Sequence, residues 1–144
     1  AEFPFAKLDP DERREQLRHV LNWFWHDLSH FMAAFGRGEL WWACGQLEAL
    51  RRYCVNLLRI EHGAEAQDEA YEKLERAVPP SELAALQPTF CPMERDAMLK
   101  AALDIVRFFR EHAPRVAGAY GSEYPEELER LMCDRLDKLS LASR

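Results

Sequence analysis

Two histidines, His26 and His30, stand one helical turn apart in "HDLSH" with Asp27 beside the first. At that spacing a helix can offer two imidazoles to one metal ion. A catalytic zinc also needs a third protein ligand and a carboxylate base that reaches the bound water. Asp27 is one methylene shorter than the glutamate that metalloproteases carry there, and His62 and His112 have no spacing that predicts convergence. No metal ligand is therefore expected in this chain. On a helical wheel His19, Trp23, His26 and His30 fall within about 60° of one another. They lie opposite a stripe of Leu17, Leu21, Phe24, Leu28, Phe31 and Phe35. A merely solvated face would leave the large apolar surface of Trp23 in water. The four residues are accordingly read as a partner-facing side that docks another domain or subunit.

A second constellation is made of arginines. Leu40, Cys44, Leu47, Val55 and Leu58 define an apolar stripe with Arg51 in its middle, while Arg52 and Arg59 point away from it. An inward arginine must find a carboxylate or an anionic ligand, because an unpaired charge in low dielectric costs roughly several kcal/mol. Arg110 repeats the situation, sharing a face with Leu99, Leu103 and Val106. The two either frame one acidic pocket or pair with Glu48 and other helix acids, and the structural pairing is the expectation. Arg51 and Arg110 are thus the candidates for binding a substrate or bracing a cleft.

"RFFREH" places Arg107 and His112 at R-x4-H, a short pattern shared with HEPN-type RNA-cutting domains. In a straight helix the two side chains diverge by about 140°, so they cooperate only through a bend at Pro114 or across a dimer. There is no G-x-S-x-G elbow, no phosphate-cradling glycine loop and no cysteine with an evident base partner. No catalytic residue is expected in this chain.

These side chains need helices to hold them. Asp9 as N-cap, Pro10 at the first helical position and Glu12 three residues after the cap start a helix over 9–35. Two glycines in "GRGEL" break it, and a second helix follows over 39–61, stopped by Gly63, so the two make an antiparallel hairpin. Residues 64–90 form an irregular helical insertion. A long helix over 92–119, kinked at Pro114, and a last one over 124–139 make a second hairpin. Residues 1–8 look like a linker remnant, and 9–144 form one all-α domain, an antiparallel up-and-down four-helix bundle with a small helical insertion. No strand pattern is present.

Composition sets the outer bounds. The 144 residues suit one domain of ordinary size. A net charge of −6 without a basic run removes the attraction that drives non-specific nucleic-acid binding, so no nucleic-acid partner is expected. No stretch is long and apolar enough for a membrane span, and no basic start leads into a short apolar run with a cleavage site, so a cytoplasmic protein is expected. Cys44, Cys54, Cys91 and Cys133 form no CxxC pair and read as buried thiols of a reducing cytoplasm.

"GRGELWWACGQLEALRRYCVNLLR", residues 36–59, resembles the "RG-(D/E)-LW … LRR-x-L-x-x-LL" helix of the helical carboxy-terminal domain in antibiotic-type nucleotidyltransferases. "DIVRFFREHAPRVAGAYGSEYPEELERLM", residues 104–132, is similar to that family's "FRELA…A…LG-x-x-YP-x-x-L" ending. Pro114 and the histidine-rich first helix depart from the pattern. The resemblance implies the substrate-binding half of an enzyme that transfers a nucleotidyl group to a small hydroxyl-bearing substrate. Magnesium and a nucleoside triphosphate would then belong to a separate nucleotidyl domain carrying a Gly-Ser turn and paired aspartates. Gly121 and Ser122 have no following D-x-D, so that domain is expected outside this chain, covalently joined or as a partner. A homodimer, an HEPN-type RNA-cutting bundle and a non-catalytic interaction bundle stay open as alternatives.

Overall fold

The computed structural model describes residues 8–64 and 69–143. The expected linker at 1–8 lies, except for Leu8, outside the described residues. Among the described residues there are six α-helices and no strand: α1 (Pro10–Gly36), α2 (Leu40–Glu61), α3 (Leu74–Ala77), α4 (Pro80–Leu86), α5 (Arg95–Ala119) and α6 (Glu126–Ala142).

The start of α1 follows from three adjacent residues. The Asp9 carboxylate accepts the Glu12 amide at 2.9 Å, filling one of the open donors of the first turn, and Pro10 follows at a position where its missing N–H costs nothing. Gly38 then takes φ +76° in the turn to α2, a conformation that strains a residue with a Cβ. Only residues 37–39 separate the helices, so α2 folds back along α1 and the two form the most extensive helix pair.

The core is built from the apolar faces of α1, α2 and α5. Leu17, Leu21, Phe24, Leu28, Phe31 and Phe35 are all buried, as the stripe requires. Phe24 stacks on Phe109 at 3.8 Å, and Trp25 meets the same ring edge-on at 5.5 Å. α5 runs without interruption through Pro114, whose ring sits on the exposed side. It begins at Arg95, three residues after Pro92, because Glu94 is extended.

α6 lies chiefly against α1 and buries only Met132 and Leu136. Between α5 and α6 a groove of about 500 Å³ carries Arg107, Arg110, Glu111, Glu129 and Asp137. Charged groups on both walls keep their hydration, which opposes close packing of the two helices. The segment 69–90 takes the other side: its 3-10 turn, Gln87–Thr89, seats against α5 and buries Thr89 completely.

Three expectations are corrected here. Arg59, expected to point outward, is 1 % exposed, because the segment after α2 folds back over it. Arg110, expected to point inward, is exposed at the charged groove, because α6 does not close over that face of α5. Of the four cysteines, all free thiols, only Cys54 is buried; Cys44 is exposed because its turn of α2 borders an open cavity beneath Phe90 and Cys91.

Candidate functional site

The stretch "NWFWHDLSH" divides between two environments. Phe24, Trp25 and Leu28 point into the core, while Trp23 is 45 % exposed beside the exposed rings of His19 and His26. The outward rings touch in series. His19 lies 5.6 Å from Trp23, Trp23 meets His26 edge-on at 4.7 Å, His26 meets His30 at 4.5 Å, and His30 reaches Trp42 of α2 at 6.0 Å. Trp41, the residue before Trp42, is 83 % exposed, and Arg37 covers the Trp42 ring at 5.4 Å. Large rings gathered this way on the surface of one hairpin suit contact with another protein surface.

Within this face His26, Asp27 and His30 bring their ligand atoms within 4.8 Å of one another. The Tyr53 hydroxyl of α2 donates to Asp27 Oδ2 at 2.7 Å, leaving Oδ1 3.5 Å from His30 Nδ1. Burial first, and then the bond to the Asp27 carboxylate, push the Tyr53 hydroxyl well above its ordinary pKa, so it remains a donor. Nothing in residue spacing connects Tyr53 to Asp27, since the pair forms only when the hairpin closes.

Arg51 is 5 % exposed and uses each of its guanidinium nitrogens. Nε donates to Thr89 Oγ1 at 2.8 Å, Nη2 to the Thr89 carbonyl at 2.7 Å, and Nη1 to Glu48. The Phe90 ring lies 3.9 Å from the guanidinium carbon. Glu48 also accepts from the Tyr71 hydroxyl at 2.7 Å; Tyr71 is pushed up to about 12, chiefly by burial and then by that bond. Arg51 thereby ties α2 to the 3-10 turn. Arg59 does the same for the chain that follows α2, donating to the carbonyls of Ala64, Ala70 and Glu72. Desolvation holds its guanidinium below the ordinary arginine pKa, with the Glu72 charge partly offsetting this.

Arg110 and Arg51 line different cavities, so they frame no common pocket. Arg110 Nε lies 3.6 Å from Glu129, whose carboxylate also accepts the Tyr124 hydroxyl at 2.7 Å. Arg107 faces Asp104 at 3.8 Å, whereas His112 turns its Nδ1 to the Phe108 carbonyl and stacks on the Phe108 ring. The two residues of the R-x4-H pattern thus serve separate surroundings. A cavity of about 910 Å³ lies between α1 and the α5–α6 corner and is lined by Arg14, Arg18, Asn22, Tyr124 and Glu127 among others. It takes in Gly121 and Ser122, but none of Arg51, Arg110, His19, Trp23, His26 and His30 lines it.

In comparison with known proteins, the family model described as streptomycin adenylyltransferase matches residues 8–139, from the cap of α1 to near the end of α6. No curated protein and no solved structure matches the chain significantly.

Proposed function

The chain belongs to the streptomycin adenylyltransferase family, and from that premise we propose that it is the helical substrate-binding domain of a nucleotidyltransferase-like protein. In this reading α1, α2, α5 and α6 act as an antiparallel four-helix bundle within one domain. The row His19, Trp23, His26 and His30 docks the nucleotidyl domain, covalently joined or carried on another chain. The single observation that carries the reading is a family match spanning all four long helices.

The catalytic centre is assigned elsewhere. Among the described residues the clusters of possible metal ligands are His26, Asp27, His30 and Glu61, His62, Glu82. Neither pairs two aspartates near Gly121 and Ser122, which lie at the end of α5 rather than on a strand. This donor set does not fit a magnesium–nucleotide centre, so no step of transfer is derived through these residues. Magnesium and the nucleoside triphosphate belong to the nucleotidyl domain, and we place the reaction in the cytoplasm, where the triphosphate is made.

This chain's task is to hold a small hydroxyl-bearing acceptor. The grooves beside α6, where Glu123, Glu126 and Glu127 outnumber Arg14 and Arg18 in one and Glu111, Glu129 and Asp137 outnumber Arg107 and Arg110 in the other, suit a cationic acceptor. Arg110 limits the second groove, and Arg51 braces the wall of α2. To test the reading, the chain is mixed with a family nucleotidyl domain and transfer of label from ATP to streptomycin, as probe acceptor, is followed together with indole emission. We expect label transfer and an emission change that shrinks in Trp23→Phe. Unchanged emission together with absent transfer rejects the proposal.

A further inference from the structure

We propose that His26, Asp27 and His30 bind one divalent transition ion, zinc foremost, on the outward face of α1. The spacing of the histidines left a third ligand wanting; the structure supplies it from inside the motif. Asp27 stands on the flank of the helix, and Tyr53 of α2 holds its Oδ2 so that Oδ1 is directed to His30. The Tyr53 hydroxyl that fixes this carboxylate is the outer support that metal-binding groups usually need.

The distances favour an inserted ion over a direct pair. The 3.5 Å between Asp27 Oδ1 and His30 Nδ1 is long for a charge-assisted hydrogen bond. Two donors each roughly 2.0–2.1 Å from one ion sit about 3.3 Å apart at a tetrahedral angle. The full set spans at most 4.8 Å, and His26, the exposed member, closes the remainder by rotating its ring. Glu61, His62 and Glu82 make the contrast: His62 Nε2 is already 2.6 Å from Glu82, and Glu61 receives Arg115 at 2.9 Å. That cluster is satisfied without an ion.

Ligand chemistry selects the class of ion. Two imidazoles and one carboxylate suit zinc, nickel and copper and disfavour the all-oxygen preference of magnesium or calcium. Trp23 and Trp42 lie against the two histidine rings, so copper bound here quenches indole emission. Three protein ligands leave a fourth position facing outward.

The test is calorimetric titration of zinc into the whole chain after its accessible thiols are capped with iodoacetamide, which removes Cys44 as a competitor. One zinc per chain is expected, with saturable binding lost in His30→Ala and His26→Ala. Tyr53→Phe, which keeps the ring, weakens binding about tenfold by releasing Asp27, while its circular dichroism remains that of the parent. Copper quenching is expected to fall in Trp23→Phe and Trp42→Phe. Absence of saturable heat up to millimolar zinc overturns the proposal; so does binding that Asp27→Asn leaves unchanged, or that His62→Ala removes. Because no nucleotidyl domain takes part, this outcome is independent of the docking test.

Discussion

Two pairs of arginines, one on α2 and one on α5, end in opposite circumstances. Arg51 and Arg59 are buried, and their donors are taken by Thr89, Glu48 and backbone carbonyls of the chain between α2 and α5. Arg107 and Arg110 remain exposed and face carboxylates at 3.8 and 3.6 Å across or beside an open groove. All four are arginines within long helices. What differs is the cover, since residues 69–90 are folded over one side of α2 while α6 stands off α5. A guanidinium becomes a structural brace where other chain supplies oxygen atoms and excludes water, and it remains available to a ligand where water is not excluded.

The comparison breaks most visibly at Arg59. Arg59→Met leaves the carbonyls of Ala64, Ala70 and Glu72 without their charged donor, and a loss of about 3 kcal/mol or more is expected in urea unfolding. A loss below about 1 kcal/mol shows that the cover is not held by this residue.

Arg51→Met should cost less, about 2 kcal/mol, because the abandoned Glu48 side chain is 41 % exposed and keeps its bond from Tyr71. Arg51→Lys restores charge without the fork to Thr89 and should recover less than half of that loss in the same unfolding measurement.

Arg115 is an intermediate case, donating two nitrogen–oxygen contacts to Glu61 at 2.9 and 3.1 Å from a 58 % exposed side chain. Arg115→Ala should destabilise by less than about 1 kcal/mol, and melting in high salt should erase the difference. Arg110→Ala, at the bottom of the scale, should move stability by no more than about 0.5 kcal/mol. In the label-transfer assay the same variant should change the KM for the acceptor and leave the melt alone; an equal change in both returns Arg110 to the class of Arg59.

Much of the helical layout was legible in residue order. The Asp9 cap, the turn at Gly38 and the stripe from Leu17 to Phe35 are local signals, and all are found as read. The outward placement of Trp23 and His26 follows from the same wheel. Arg59 could not be placed that way. Its partners are backbone carbonyls, which every residue carries, so no side-chain pattern marks them. Arg110 failed for the converse reason: it shares a face with apolar residues, yet α6 does not close over it. Asp27 sat in plain view, but its orientation depends on Tyr53, 26 positions away.

What this sequence determined unaided is that the chain is helical, where its helices turn, and which side of α1 is aliphatic, because a rotation of about 100° per residue converts spacing directly into faces. Tertiary structure alone decided which arginines became braces, which thiol was sealed and which carboxylate faces the histidines. Those outcomes depend on what distant chain brings to the spot, oxygen atoms or water, and a helix face carries no record of its cover.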